Sequence, residues 1–110
     1  EGHTDIATLS AAALAFRAIG ERDTALSTID AAIAQMPDDA ELHFLRAGML
    51  LDTRNLSGAQ AALAQTVALD PNQFGAYVVQ AQMAIGRNDF EDAERQTKLV
   101  VFCEFDHFKG

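Results

Sequence analysis

Cysteine occurs once, proline twice and a cluster of basic residues nowhere, and each scarcity removes a class of protein. The lone Cys103 excludes an intramolecular disulfide framework. Two prolines and seven glycines, with alanine spread throughout, argue for helix and against a turn-rich all-β fold. Lys and Arg number eight against sixteen Asp and Glu, a net charge of −8 with no basic block. Phosphate recognition needs clustered Lys and Arg, so nucleic acid is not an expected partner. Apolar runs such as Ala11 to Phe16 fall far short of the ~20 residues that cross a bilayer, so no membrane insertion is expected. Glu1-Gly2-His3 offers no basic segment, apolar signal core or starting methionine, which reads as a boundary within a longer protein. The single cysteine fixes no compartment, so cytoplasm and periplasm both stay open, with the cytoplasm favoured.

What is present is a 49% hydrophobic chain of 110 residues, enough for one continuous core and too short for two ordinary domains. Slid against itself by 34 residues, the chain returns the same residues. Pro37 falls on Pro71, Ala25 on Ala59 and Ala93, Ala13 on Ala47 and Ala81, and Ile29 on Leu63. Within each unit the apolar positions keep helical spacing: Ile6, Leu9, Ala13 and Phe16, then Ile29, Ala32, Ile33 and Met36. Breakers separate the halves at Gly20, Asn55 to Gly58 and Gly86 to Asp89. Asp38 and Asn72, after the prolines, are expected caps. The pattern predicts helices over 5–19, 23–36, 39–53, 57–69, 72–86 and 90–103. A plain helical bundle would explain the spacing but has no reason to return proline and alanine at a fixed period.

The alternation resembles the tetratricopeptide repeat. Leu9, Ala12, Ala13 and Phe16, then Ala25, Ile29, Ala32 and Pro37 carry the likeness in the first unit. His43, Arg46, Ala47 and Leu50, then Ala59, Leu63, Thr66 and Pro71 carry it in the second. The third has Tyr77, Gln80, Ala81 and Ala84, then Ala93, Thr97 and Val100, with Phe105 where proline would stand. Alanines 13, 47 and 81 are expected to face alanines 25, 59 and 93 where the paired helices cross closely. Arg46 and Gln80 depart from the family by occupying normally apolar sites. The resemblance implies an all-α, right-handed α-solenoid of three antiparallel helix pairs, a single domain with repeats near 6–39, 40–73 and 74–107.

Candidate chemistry is sparse. His43 sits on a core-type position and reads as a packed ring with its polar tip satisfied, and His3 lies in the terminus. Cys103 and His107 share the spacing of a helical metal pair, but two ligands are too few. No phosphate loop or Ser/His/Asp arrangement occurs, so neither enzyme activity, cofactor nor metal is expected.

By resemblance, the first helices of the pairs line a concave groove. Its residues would be Ala7, Ser10, Ala11, Leu14 and Arg17, then Glu41, Phe44, Leu45, Gly48 and Leu51, then Gly75, Val78, Val79, Gln82 and Ile85. Leu14, Phe44, Leu45, Leu51, Val78 and Val79 are the expected anchors, with Arg17, Glu41 and Gln82 as polar residues among them. Family members that clamp acidic chaperone tails use Lys, Asn and Arg at these sites, of which only Arg17 occurs here. The expected function is therefore a protein-interaction scaffold taking a peptide or helix by its apolar face. The alternative is a structural segment of a longer solenoid, or a self-associating module. Three phenylalanines in the last nine residues, Phe102, Phe105 and Phe108, make the C-terminal end a candidate homo-oligomer contact.

Overall fold

The computed structural model describes the backbone of residues 5–109 and the side chains of residues 5–101. The readings on His3, and on the side chains of Phe102, Cys103, Phe105, His107 and Phe108, lie outside the described residues. Six helices follow one another: α1 (Ile6–Ala18), α2 (Arg22–Gln35), α3 (Ala40–Asp52), α4 (Leu56–Leu69), α5 (Phe74–Gly86) and α6 (Phe90–Lys109).

The turns inside the three pairs repeat one device. Gly20, Arg54 and Asn88 occupy the same place in each unit, and all three have positive φ, at 88°, 65° and 62°. Glu21, Asn55 and Asp89, one residue further on, donate their amides to the carbonyls of Phe16, Leu50 and Ala84. The left-handed residues donate theirs to Arg17, Leu51 and Ile85. Together these are the two bonds of a Schellman motif, which satisfies carbonyls that a helix end leaves open. Asn88 tolerates the left-handed conformation through its short polar side chain; Arg54 has no such excuse and carries the strain.

The starts of α3 and α5 and the end of α6 differ from expectation. The caps sit one residue later than the prolines suggested. Asp39, not Asp38, accepts from the Glu41 amide at 3.0 Å, and Gln73 caps α5 with no side-chain bond while Asn72 stays in the turn. The last helix runs to Lys109 where the pattern predicted an end near 103. Proline closes the units at positions 37 and 71, but Phe105 stands at the third such place and nothing in its backbone stops the helix.

Close crossing of the paired helices rests on alanine. Ala13, Ala25 and Ala59 are fully buried, Ala47 is 1% exposed, and Ala81 and Ala93 are 8% exposed. Two apolar clusters result. The first joins Ala13, Ala25, Ile29 and Ala32 to Leu42 and Met49 of α3, with Ile33 and Leu45 against it. The second joins Ala47, Leu50, Ala59, Ala62 and Leu63 to Ala76 of α5, with Phe44, Val67, Val79 and Met83 against it. The closest packing is between helices adjacent in chain order, as expected of an array in which each unit touches only its neighbours.

Four polar residues on the inner pattern, His43, Tyr77, Arg46 and Thr66, find partners. His43 Nε2 lies 2.8 Å from the Pro37 carbonyl, and Tyr77 donates its hydroxyl to the Pro71 carbonyl at 2.8 Å. The two rings thus make the same tether to the loop between repeats, one period apart. Arg46, at a normally apolar site, donates from Nε to Asp30 Oδ1 at 2.8 Å and so links α3 to α2. Thr66 is fully buried and donates its hydroxyl to the Ala62 carbonyl at 2.8 Å.

Candidate partner-binding groove

Phe44, Leu45, Gly48 and Leu51 are spaced to share one face of α3, because residues three and four apart lie one above another on a helix. With Arg17 from α1 and Val79 from α5 they border a hollow of about 210 Å³, floored by Ala47 and Leu63. Two glycines set the approach of the flanking helices. A Cβ on Gly48 would stand 3.0 Å from the Arg17 guanidinium, and one on Gly75 would stand 3.1 Å from the Phe44 ring. In both cases a long side chain of one repeat lies across a glycine in the next.

The one cation of the hollow is already matched. Arg17 donates from Nε to Asp52 Oδ2 at 2.6 Å and from Nη2 to Oδ1 at 3.4 Å. Both side chains are about a third exposed, at 36% and 30%, so solvent screens the pair and its contribution to stability is at most about 1 kcal/mol. Its larger effect is on recognition, because a guanidinium held this way has less to offer an incoming anion.

Of the nine expected anchors and polar residues of the groove, Arg17, Phe44, Leu45, Leu51 and Val79 come together around the hollow, with Gly48 of the wider expected lining beside them. Leu14, 42% exposed on α1, the half-buried Val78 and the exposed Gln82 lie outside its lining. Glu41 also lies outside it and accepts from Gln73 Nε2 at 3.0 Å, a bond joining the starts of α3 and α5. Nor are the apolar anchors free side chains. Leu45 packs on the first core cluster, and Phe44, Leu51 and Val79 pack on the second, so the groove wall is the outer layer of the core. Asp52 was not anticipated. The signal for it was its place at the end of α3, one repeat and one residue beyond Arg17.

Among the described residues no three His, Cys, Asp or Glu side chains are grouped to hold a metal ion. No helix among them is long and apolar enough to cross a membrane.

No protein-family model and no curated protein sequence matches the chain. Solved structures do. The crystal structure of MamA superposes with a TM-score of 0.90 at 19% identity, over 97% of this chain and 63% of that one. The second TPR of Spaghetti (RPAP3), bound to the HSP90 peptide SRMEEVD, gives 0.81 at 17% identity over 91% and 93%. A MamA RS-1 ArsTM double mutant gives 0.85 at 19% identity over 96% and 59%. The chain thus spans somewhat under two thirds of the two MamA chains. At these identities the likeness establishes the fold: three stacked helix pairs of the tetratricopeptide kind, an all-helical solenoid.

Proposed function

We propose that this tetratricopeptide-fold chain is a protein-interaction module that takes the apolar face of a partner helix or peptide into the hollow along α3. The observation that carries the reading is the lining itself. Phe44, Leu45, Leu51 and Val79 surround a depression whose only charged group is paired with Asp52. Half-buried aliphatic and aromatic side chains at a concave wall contribute to binding by completing their burial, and helical ligands present anchors at matching intervals of three and four residues. The lining holds no nucleophile and no acid–base group, so no reaction, cofactor or metal is assigned to it.

The peptide SRMEEVD held by the RPAP3 domain is acidic, and an acidic tail is a poor match here. The groove offers it one guanidinium, already bonded, on a chain of net charge −8. Titrating the labelled chain with an uncharged amphipathic helical peptide should shift the amide resonances of Phe44, Leu45, Leu51 and Val79. The affinity should change little over roughly a tenfold range of salt, since few ion pairs form. Shifts confined to α2, α4 and α6, or saturable and steeply salt-dependent binding of SRMEEVD, would defeat the assignment. A second reading, self-association through the C-terminal end, is favoured by the 61% exposure of Val101 on α6.

A further inference from the structure

Two residues of α3 are poor choices for a helix, and both meet the same side chain of α1. Gly48 lies in the helix interior, where glycine is among the least favourable residues. Asp52 is the last residue, where the open carbonyls of a helix end disfavour a carboxylate, and α3 has no basic residue in its last turn to offset it. Nor does the repeat ask for either. One period away, Gly48 corresponds to Leu14 and Gln82, and Asp52 to Ala18 and Gly86. What the two share is a spacing of four residues, which sets them one turn apart on one face of the helix. Arg17 lies across that face. A Cβ on Gly48 would stand 3.0 and 3.1 Å from its two terminal nitrogens, and its Nε and Nη2 donate to Asp52 at 2.6 and 3.4 Å. At the joint between the second and third pairs the equivalent places hold Leu51, Gln82 and Gly86, so this seat for a guanidinium is built once.

From this seat we infer that Asp52 sets the specificity of the hollow, by holding the place at Arg17 that the carboxylate of an acidic ligand would otherwise take. The inference rests on the groove reading above and adds to it the class of ligand that is refused. Arg17 is the one charged residue of the lining, so it alone could draw an anion into the hollow. A guanidinium receives a carboxylate best through two parallel N–H bonds, and its edge carrying Nε and Nη2 is already occupied by Asp52. An incoming anion must displace Asp52 or share the cation with it, beside a like charge and on a chain of net charge −8. A neutral apolar face meets no such opposition, because the pair as a unit carries no net charge. Stability does not explain the pair, since an ion pair with both side chains about a third exposed is screened by solvent and adds little. Asp52 is therefore a positioning residue, acting through Arg17 without contact to the ligand.

The test uses a neutral amphipathic helical peptide and forms of it in which each glutamine flanking the apolar anchors is replaced in turn by glutamate. Affinities, and shifts of the hollow's amide resonances, are measured with the unaltered chain and with Asp52→Ala, which places there the residue of the first unit. The unaltered chain should bind every acidic form more weakly than the neutral parent, by about threefold or more. With Asp52→Ala at least one acidic form should bind more tightly than the parent, by about fivefold, as the freed guanidinium takes the carboxylate. That gain should shrink with added salt and vanish when Arg17→Met is introduced as well, neither of which a merely structural change at Asp52 would produce. If Asp52→Ala lowers the helical content, Asp52→Asn, which removes the charge and keeps the shape, is compared in the same way. A ratio of acidic to neutral affinity that the substitution leaves unaltered overturns the inference while the groove reading stands. Hollow resonances that no peptide moves, in either chain, remove the groove reading and this inference with it.

Discussion

The contact between α2 and α3 and the contact between α4 and α5 occupy equivalent places in the repeat, yet α3 lies much closer along α2 than α5 does along α4. Four substitutions one period apart account for it. Leu42, 2% exposed, becomes Ala76, and Leu26, which packs on both clusters, becomes the exposed Gln60. The ion pair of Asp30 and Arg46 becomes Ala64 and Gln80, so the clasp across the helices is missing. Hollows of about 180 and 220 Å³ open there, both bordered by Gln60, Met83 and Arg87. The side-chain oxygen of Gln96, at the edge of the first, is buried without a partner. The same backbone repeat therefore has one stiff joint and one loose joint, and the difference lies in side-chain volume and in a single ion pair.

Equivalent methionines should show the largest difference between the two joints. Met49 is 1% exposed and Met83 is half-buried, with the same side chain at the same place in the repeat. Met49→Ala should cost about 2–5 kcal/mol, the range for truncating a long buried side chain, because the tight joint cannot collapse into the void. Met83→Ala should cost less than half of that, since the site is already loose and partly wet. Urea titrations followed by helical signal give both numbers, and equal losses would show that the two joints are equally well packed.

This asymmetry was only partly legible in the sequence. Period, helix pairs and alanine crossings were visible because they depend on single positions, such as Ala47 and Ala59, that recur on a fixed spacing. Arg46 and Gln80 stood out as departures, but their consequences depend on Asp30 and Ala64, which sit on another helix in the preceding unit. Arg17 was likewise readable as a groove residue and Asp52 was not, because the offset between them is fixed by how one pair turns on the next. Phe44, Leu45, Leu51 and Val79, read from the sequence as groove anchors, border the hollow along α3. That Leu45 and Val79 also belong to the core follows from the narrow angle between the face turned to the groove and the face turned to the neighbouring pair. The extension of α6 was signalled by the missing third proline, whose absence removes a stop.

Restoring one missing side chain should tighten the loose joint by a smaller amount. Gln60 stands where the first joint has Leu26 and borders both hollows. Gln60→Leu should therefore stabilise the chain by up to about 1 kcal/mol, the return on burying a few additional methylene groups. Amide exchange should slow in α5 and α6 with little change in α1 and α2, since those helices depend on the looser joint. No gain in the urea midpoint, with exchange unaltered, would mean that the hollows are too open for a leucine to fill.

The smallest expected effect separates the two glycines over which side chains of the preceding unit lie. Glycine inside a helix costs about 1 kcal/mol relative to alanine, so either substitution starts with a gain in backbone entropy. What opposes that gain differs. At Gly48 the new methyl group would meet the Arg17 guanidinium at 3.0 Å, the far end of a flexible side chain, which can shift by a few tenths of an ångström and keep one bond to Asp52. At Gly75 it would meet the Phe44 ring at 3.1 Å, and that ring packs on the second core cluster. Gly75 is also the second residue of α5, where helix propensity counts for less than in the interior. Gly48→Ala should thus raise stability by as much as ~1 kcal/mol, and Gly75→Ala should be neutral or slightly destabilising. Thermal melts of the two variants side by side decide it. A loss at Gly48 would show that Arg17 is held as firmly as the ring, making the Arg17–Asp52 pair a fixed wall of the groove rather than one that can move aside for a ligand.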